Sequence, residues 1–325
     1  RLTRGPGRQI HASRTFNGDL ERRAFSDESV TYDVWTKAAD GSAPVPLPNS
    51  ISNRWAPSLS LDGSRLAFIS HASGAWSVVV RDLVPERDRV LTTSSSLLVN
   101  AAISGDGQRV AWSGGDSNVY VTSVENGASE QLCEHCGTVL SMSADGRYTA
   151  FEPVSDEDLS ALDSAGRHRM ILSTRRNKNE LLSGTQFSPD GKWAAFHSID
   201  SSTRTTQIWI APVDTQKPVT PERWIPITEG KVFAQDPAWS PDGNTLYFVS
   251  ERDGFRCFWA QRLDASKKPA GEPFAVQHFH SARQTLRGAA STGYLTRPAA
   301  GGKRIAFSSA GVRGSIWLEE LKHAR

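Results

Sequence analysis

The sequence predicts an all-β fold, a closed β-propeller of four-stranded antiparallel blades. Three observations carry this. A strand-like phrase centred on an aromatic residue recurs seven times. A tight turn built on Asp-Gly stands just before most of these phrases. The recurrences run nearly from end to end of a chain of 325 residues, which leaves one domain, residues 1–325, and no room for a second. Strand-rich repeats of roughly 40–50 residues mean a radial array of small sheets.

The phrase is one or two polar or basic residues, a small or apolar pair, an aromatic, then usually Ser. It reads Arg22-Arg23-Ala24-Phe25-Ser26, Arg65-Leu66-Ala67-Phe68-Ile69-Ser70, Arg109-Val110-Ala111-Trp112-Ser113 and Arg147-Tyr148-Thr149-Ala150-Phe151. It continues as Lys192-Trp193-Ala194-Ala195-Phe196, Thr245-Leu246-Tyr247-Phe248-Val249-Ser250 and Arg304-Ile305-Ala306-Phe307-Ser308. Seven phrases predict seven blades. Six is the alternative, if the irregular repeat from about Gln284 is not a blade.

Each phrase is read as the second strand of a blade, and the turn before it as the link from the inner strand. These turns are Ser60-Leu61-Asp62-Gly63, Ser104-Gly105-Asp106-Gly107, Ser143-Ala144-Asp145-Gly146, Ser188-Pro189-Asp190-Gly191 and Ser240-Pro241-Asp242-Gly243. Thr15-Phe16-Asn17-Gly18 is a worn copy ahead of Phe25. Asp bonds its own nearby backbone and Gly accepts positive φ, so these aspartates are read as turn formers.

A third strand follows, as in Asp33-Val34-Trp35, Asn118-Val119-Tyr120, Gln207-Ile208-Trp209-Ile210, Cys257-Phe258-Trp259 and Ser315-Ile316-Trp317-Leu318. Its large rings are read as packing between blades. Outer strands are Arg89-Val90-Leu91-Thr92 and Trp224-Ile225-Pro226-Ile227-Thr228, the Pro being tolerable at an edge. Leu2-Thr3-Arg4-Gly5 resembles an outer strand without a blade, and Ser315 to Leu321 a third strand without a fourth. The expectation is that Arg1 to Gly5 completes the last blade and closes the ring, removing an exposed sheet edge.

Composition excludes several classes. Lys plus Arg number 37 against 35 acids, a net charge of +2, too balanced for a nucleic-acid footprint. No apolar run approaches the roughly 18 residues of a membrane span. The first residues carry no secretory signal and the chain does not start with Met, so it is read as a processed form or part of something longer. Three cysteines make no disulfide framework.

The Ser-Pro-Asp-Gly turns followed by Lys192-Trp193-Ala194-Ala195-Phe196 and by Leu246-Tyr247-Phe248-Val249-Ser250-Glu251-Arg252-Asp253-Gly254 resemble TolB-type propeller repeats. The resemblance covers nearly the whole chain and is strongest over 180–265. It implies a binding or sensing platform. TolB itself has fewer blades and a separate N-terminal domain, which this chain does not match. Gly271-Glu272-Pro273-Phe274 through His278-Phe279-His280-Ser281-Ala282-Arg283 resembles the tail of propellers fused behind bacterial serine/threonine kinases or winged-helix regulators. That implies the sensory end of a larger signalling protein. The expected location is extracytoplasmic, in the periplasm, with the cytoplasm as the alternative. The kinase signature is absent here.

Loops entering the inner strands crowd around one channel mouth. Counting back from each turn places His11, Arg54, Trp55, Asn100, Thr138, Gln235 and Asp236 there. Polar groups with one exposed aromatic suit a protein, peptide or small polar ligand. The competing reading is that they only satisfy loop backbone and water. In Cys133-Glu134-His135-Cys136-Gly137 the paired cysteines are read first as a plain loop or disulfide, then as a redox pair, and last as half a zinc site, because His135 is badly placed and Cys257 is remote. His278-Phe279-His280 puts two imidazoles on one side of a strand, but with no third ligand in view it is read as facing solvent. His197 is read as a packed or bonded strand residue. No Gly-x-Ser-x-Gly elbow occurs, which removes the propeller-gated hydrolases.

The expected function is therefore a non-catalytic ligand-sensing or protein-interaction propeller, a monomer without cofactor, metal, nucleic acid or membrane span. The alternative is an enzyme at the channel mouth, a carbohydrate lyase using His11 or a hydrolase.

Overall fold

The computed structural model describes residues 8–17, 20–38, 41–48, 53–154, 158–164, 166, 169–280, 284–286 and 297–322. The first described elements are β1 (Arg8–Asn17), β2 (Leu20–Ala38) and the short β3 (Val45–Pro46). Five four-stranded meanders follow. Blade 1 is β4 (Asn53–Leu59), β5 (Arg65–Ala72), β6 (Ala75–Leu83) and β7 (Glu86–Ser94). Blade 2 is β8 (Leu98–Ile103), β9 (Arg109–Gly114), β10 (Val119–Ser123) and β11 (Ser129–Cys133). Blade 3 is β12 (Gly137–Met142), β13 (Tyr148–Pro153), β14 (Leu159–Asp163) and β15 (Arg169–Ser173). Blade 4 is β16 (Glu180–Phe187), β17 (Trp193–Asp200), β18 (Thr206–Pro212) and β19 (Ile225–Pro226). Blade 5 is β20 (Ala234–Trp239), β21 (Thr245–Ser250), β22 (Cys257–Arg262) and β23 (Phe274–Gln277).

The sixth blade joins the two chain ends. Its inner strand is split into β24 (Gln284–Thr285) and β25 (Ala299–Gly301), both paired with β26 (Arg304–Lys322). Its third and fourth strands are β2 and β3, from the start of the chain. Closure through N-terminal strands is thus present, made by residues 30–38 and 45–46. Arg1 to Gly5, expected to close the ring, lie outside the described residues.

Packing follows the blades. Six clusters of buried apolar side chains lie one at each blade junction, among them Phe68 with Val34 and Ala306, Phe196 with Leu140 and Leu159, and Phe258 with Phe307. The phrase aromatics Phe68, Phe151, Phe196, Phe248 and Phe307 are at most 2 % exposed. Each lies in a junction cluster, and in the cluster between blades 1 and 2 Trp112 takes this place.

The count of seven is corrected to six. Phe25 does not mark a blade of its own. β2 and β26 are each 19 residues long and pair without a break from Leu20 opposite Lys322 to Ala38 opposite Arg304. Each strand carries both a second-strand phrase and a third-strand phrase, and runs straight through the place where a hairpin turn was expected. Phe25 therefore lies opposite Trp317, and Ser315–Leu318 extends a second strand. Alternating pattern specifies that a strand forms, but not which strand completes its ladder.

The turns between first and second strands are held alike. Ser60, Ser104, Ser143, Ser188 and Ser240 each donate Oγ–H to the Oδ1 of the Asp two residues on, at 2.5–2.8 Å. The same Oδ1 accepts the backbone N–H two residues further, as from Ser64 and Asn244. Gly63, Gly107, Gly146, Gly191 and Gly243 have φ between 67° and 72°, which glycine adopts without a Cβ penalty.

Candidate functional site

All inner strands start on one face, here the inlet face, which also carries every loop between second and third strands. Arg54, Trp55, Asn100, Thr138, Gln235 and Asp236 sit in the first residues of β4, β8, β12 and β20 on this face. The structure brings them to the ring of inner strands but turns several inward. Arg54 is 3 % exposed; its Nη2 lies 2.9 Å from Asp33 and donates to the carbonyl of Leu47 at 2.6 Å. It rivets blade 6 to blade 1. Trp55, expected as an exposed aromatic, is 7 % exposed, meets Tyr32 and Trp76 edge to face, and donates Nε1–H to the Val99 carbonyl. Asn100 donates Nδ2–H to the Val139 carbonyl at 2.6 Å, from blade 2 to blade 3. Thr138 and Gln235 are half-buried.

Asp236 is buried, at φ 55° within the bulge of β20, and its backbone N–H donates to His197 Nδ1 at 3.3 Å. His197 is 4 % exposed. Burial, helped by the nearby Arg297 guanidinium, pushes its pKa down to about 3, so the ring is neutral. Nδ1 accepts, which leaves the proton on Nε2. His11 is not on the inner ring. It lies in β1, which pairs with Leu20–Glu28 of β2, the half of that strand beyond the blade.

Among the described residues, a side chain from the sixth inner strand reaches across toward the inner strand of blade 3. Arg297, from the segment that interrupts the sixth inner strand, is 6 % exposed and donates Nη1–H to the Leu140 carbonyl. Two small cavities flank this side chain among the described residues. One of about 20 Å³ touches Asn100, Gln186 and Arg297. The other, about 70 Å³, lies toward the Asp-Gly turns against Ser141, Gln186 and Trp239.

Cys133 and Cys136 are joined as a disulfide. His135 between them turns away, its backbone N–H donating to Asn118 Oδ1 at 2.8 Å and its Nδ1 meeting the Asp116 carbonyl at 3.0 Å. Gly137 follows at φ 138°, where a Cβ would come within 1.8 Å of the Glu152 carbonyl oxygen.

A second arrangement on the inlet face joins the His278 and His280 pair to two residues that were not connected with it from sequence. Asp253 Oδ2 lies 2.8 Å from His278 Nδ1 and 3.0 Å from His280 Nε2. Cys257 completes a group whose four donor atoms all lie within 4.8 Å of one another. Burial pulls the Asp253 carboxyl upward, but hydrogen bonds from His280, the Phe255 N–H and His278 outweigh it and hold the pKa below the usual value. Burial pushes the Cys257 thiol up to about 11. The pairing of Phe258 with Gln277 brings the start of β22 beside the end of β23. A signal was present: Asp-x-x-x-Cys and His-x-His fall in one repeat, at strand ends that share a face.

No family model matches the sequence. Two relatives match parts of it. One is an uncharacterized peptidase, YuxL, of Bacillus subtilis, 38 % identical over 73 residues, which are 21 % of this chain and 10 % of that protein. The other is a TolB homolog of Chlorobium chlorochromatii, 29 % identical over 144 residues, 43 % of this chain and 32 % of that protein. The chain thus spans a third or less of the curated relatives it matches. A structure described as TolB from Agrobacterium tumefaciens superposes with a TM-score of 0.61 at 19 % identity, over 87 % of this chain and 99 % of that one. The fold is that of a TolB-like β-propeller. The same TolB-like ring also resembles an oligogalacturonate lyase solved with manganese, with a TM-score of 0.56 at 12 % identity, over 94 % of this chain and 98 % of the lyase.

Proposed function

We propose that this TolB-like propeller is a non-catalytic interaction module that receives a protein or peptide on its inlet face. One observation carries the reading: large apolar side chains stand exposed on the inlet face. The cavities described between the inner strands, of about 70 and 20 Å³, are each far below the roughly 300–1,000 Å³ of small-molecule sites. Among the exposed large apolar side chains, Leu97, Val154, Leu181, Val232 and Phe255 fall on the inlet face, in loops or first-strand residues of blades 1–2, 3, 4 and 5. Apolar groups rimmed by polar loops are what a protein partner covers.

The finer form of the proposal is the sensory part of a larger bacterial signalling protein, a kinase or transcriptional regulator, placed in the periplasm. The Cys133–Cys136 disulfide suits an oxidising compartment. A carbohydrate lyase or hydrolase at the mouth is the second reading, favoured by the likeness to the oligogalacturonate lyase.

A photo-crosslinking side chain installed at Leu97, Val232 or Phe255 tests the choice, with Val84 on the opposite face as control. Protein adducts from source cells at the three inlet positions and none at Val84 support it. Equal labelling at both faces, or release of unsaturated uronides from oligogalacturonate by the purified chain, would replace it.

A further inference from the structure

We propose that Asp253, Cys257, His278 and His280 form a structural zinc site that clips blade 5 to the segment leading into the closing blade. Two imidazoles, a thiolate and a carboxylate are a donor set that zinc takes in tetrahedral geometry, whereas magnesium, calcium and manganese prefer all-oxygen surroundings. Bonds of about 2.0–2.3 Å place tetrahedral donors roughly 3.3–3.8 Å apart. The four donor atoms lie within 4.8 Å of one another, so binding draws the widest pair in by about 1 Å while the Asp253–His contacts at 2.8 and 3.0 Å open by about 0.5 Å. Asp253 and a Cys257 thiolate together balance the charge of Zn²⁺; the thiol proton passes to water.

The scaffold orients these groups. In an extended chain, residues 278 and 280 face one way and 279 the other. Phe279 is 6 % exposed and wedged edge to face against Phe258 and Phe307, which commits the two histidines to the opposite side. Its N–H points at Cys257 Sγ at 3.3 Å, and the Phe255 N–H at Asp253 Oδ1 at 3.2 Å. Such outer bonds hold ligands in place and favour their charged forms. Cys257 is fully buried, while His278 and His280 are 50 % and 45 % exposed, so an ion enters from solvent onto a preset base. Four protein ligands leave no open position, which assigns the site to structure and not to catalysis.

The test uses the full chain, stripped with a chelator and titrated with zinc alone, then with Co²⁺ as a spectroscopic probe. The expected result is one zinc per chain, a melting temperature raised by zinc but not by magnesium, and a Co²⁺ spectrum with tetrahedral visible bands and a near-ultraviolet thiolate band. His278→Gln and His280→Gln each weaken binding by at least ~100-fold, the upper end of what outer-shell losses cost. Cys257→Ser removes the near-ultraviolet band, and a Cys133→Ser/Cys136→Ser double variant leaves it intact. If Cys257→Ser does not fold, the surface variant His280→Gln decides. No stoichiometric zinc, a Co²⁺ spectrum without the thiolate band, or affinity indifferent to His280→Gln would overturn the proposal.

Discussion

Trp35 lies opposite Phe307 in the register of the two strands that close the ring, one from each end of the chain. Phe307 is fully buried and also meets Phe258 and Phe279 edge to face, so one ring ties blade 5 to both halves of blade 6. Phe307→Ala should lower stability by about 3–5 kcal/mol, the usual range for a buried aromatic. Urea unfolding gives the value. A loss below about 1 kcal/mol, typical of a surface change, would mean the closing blade is not part of the cooperative unit.

Substituting Arg54 and Trp55, read from sequence as a ligand contact, should instead loosen the fold. Arg54→Ala strands Asp33 and two carbonyls and should cost about 2–3 kcal/mol, discounted because Asp33 is 24 % exposed. Trp55→Ala should cost about 3–5 kcal/mol. Thermal melts of the single variants check this; unchanged melting would return both residues to the list of ligand contacts.

Acid should weaken the protein in two stages. His197 has a folded pKa of about 3 against an ordinary 6.5. Above pH 6.5 neither state holds the proton and stability is full. As pH falls from there toward 3, the unfolded chain takes up a proton the native chain refuses, a loss of up to about 1.4 kcal/mol per pH unit. His197→Gln should flatten that slope in urea titrations run from neutral pH to about pH 4.5. Asp242 acts lower down. The Ser240 hydroxyl and the Asn244 N–H hold its carboxyl below 3.8, so its contribution is present above that value and lost as pH falls through the folded pKa.

Reducing the Cys133–Cys136 bridge should cost only about 2 kcal/mol, because it spans three positions and restrains little of the unfolded chain. Gly137→Ala should be far more damaging, since its Cβ would meet backbone at 1.8 Å. Comparing both melts ranks the two; a reduced protein less stable than the alanine variant would reverse the order.

Local features were legible from sequence. The Ser-x-Asp-Gly turns close through bonds within five residues, and the phrase aromatics fall where alternation puts them. The blade count was not, because Phe25 and Trp35 share one strand whose partner comes from the far end of the chain. Nor was the burial of Arg54, whose partners Asp33, Leu47 and Pro48 belong to the neighbouring blade's outer strands and their flank. The same holds for the donor cluster: His278 and His280 were visible as a pair, but only folding brings Asp253 and Cys257 to them. In each case the missing information was a contact between distant segments.

The seam between β2 and β26 also sets an order of events during synthesis. Thr31 Oγ1 bonds the carbonyl of Gly311 across 280 residues. β2 leaves the ribosome before any complete blade, yet its partner β26 is made after all five meanders. Blades 1 to 5 can stack one upon another as they emerge, each from local pairings. β2 must wait with that edge unpaired until β26 arrives, and that interval is when the nascent chain is most open to pairing with the wrong neighbour.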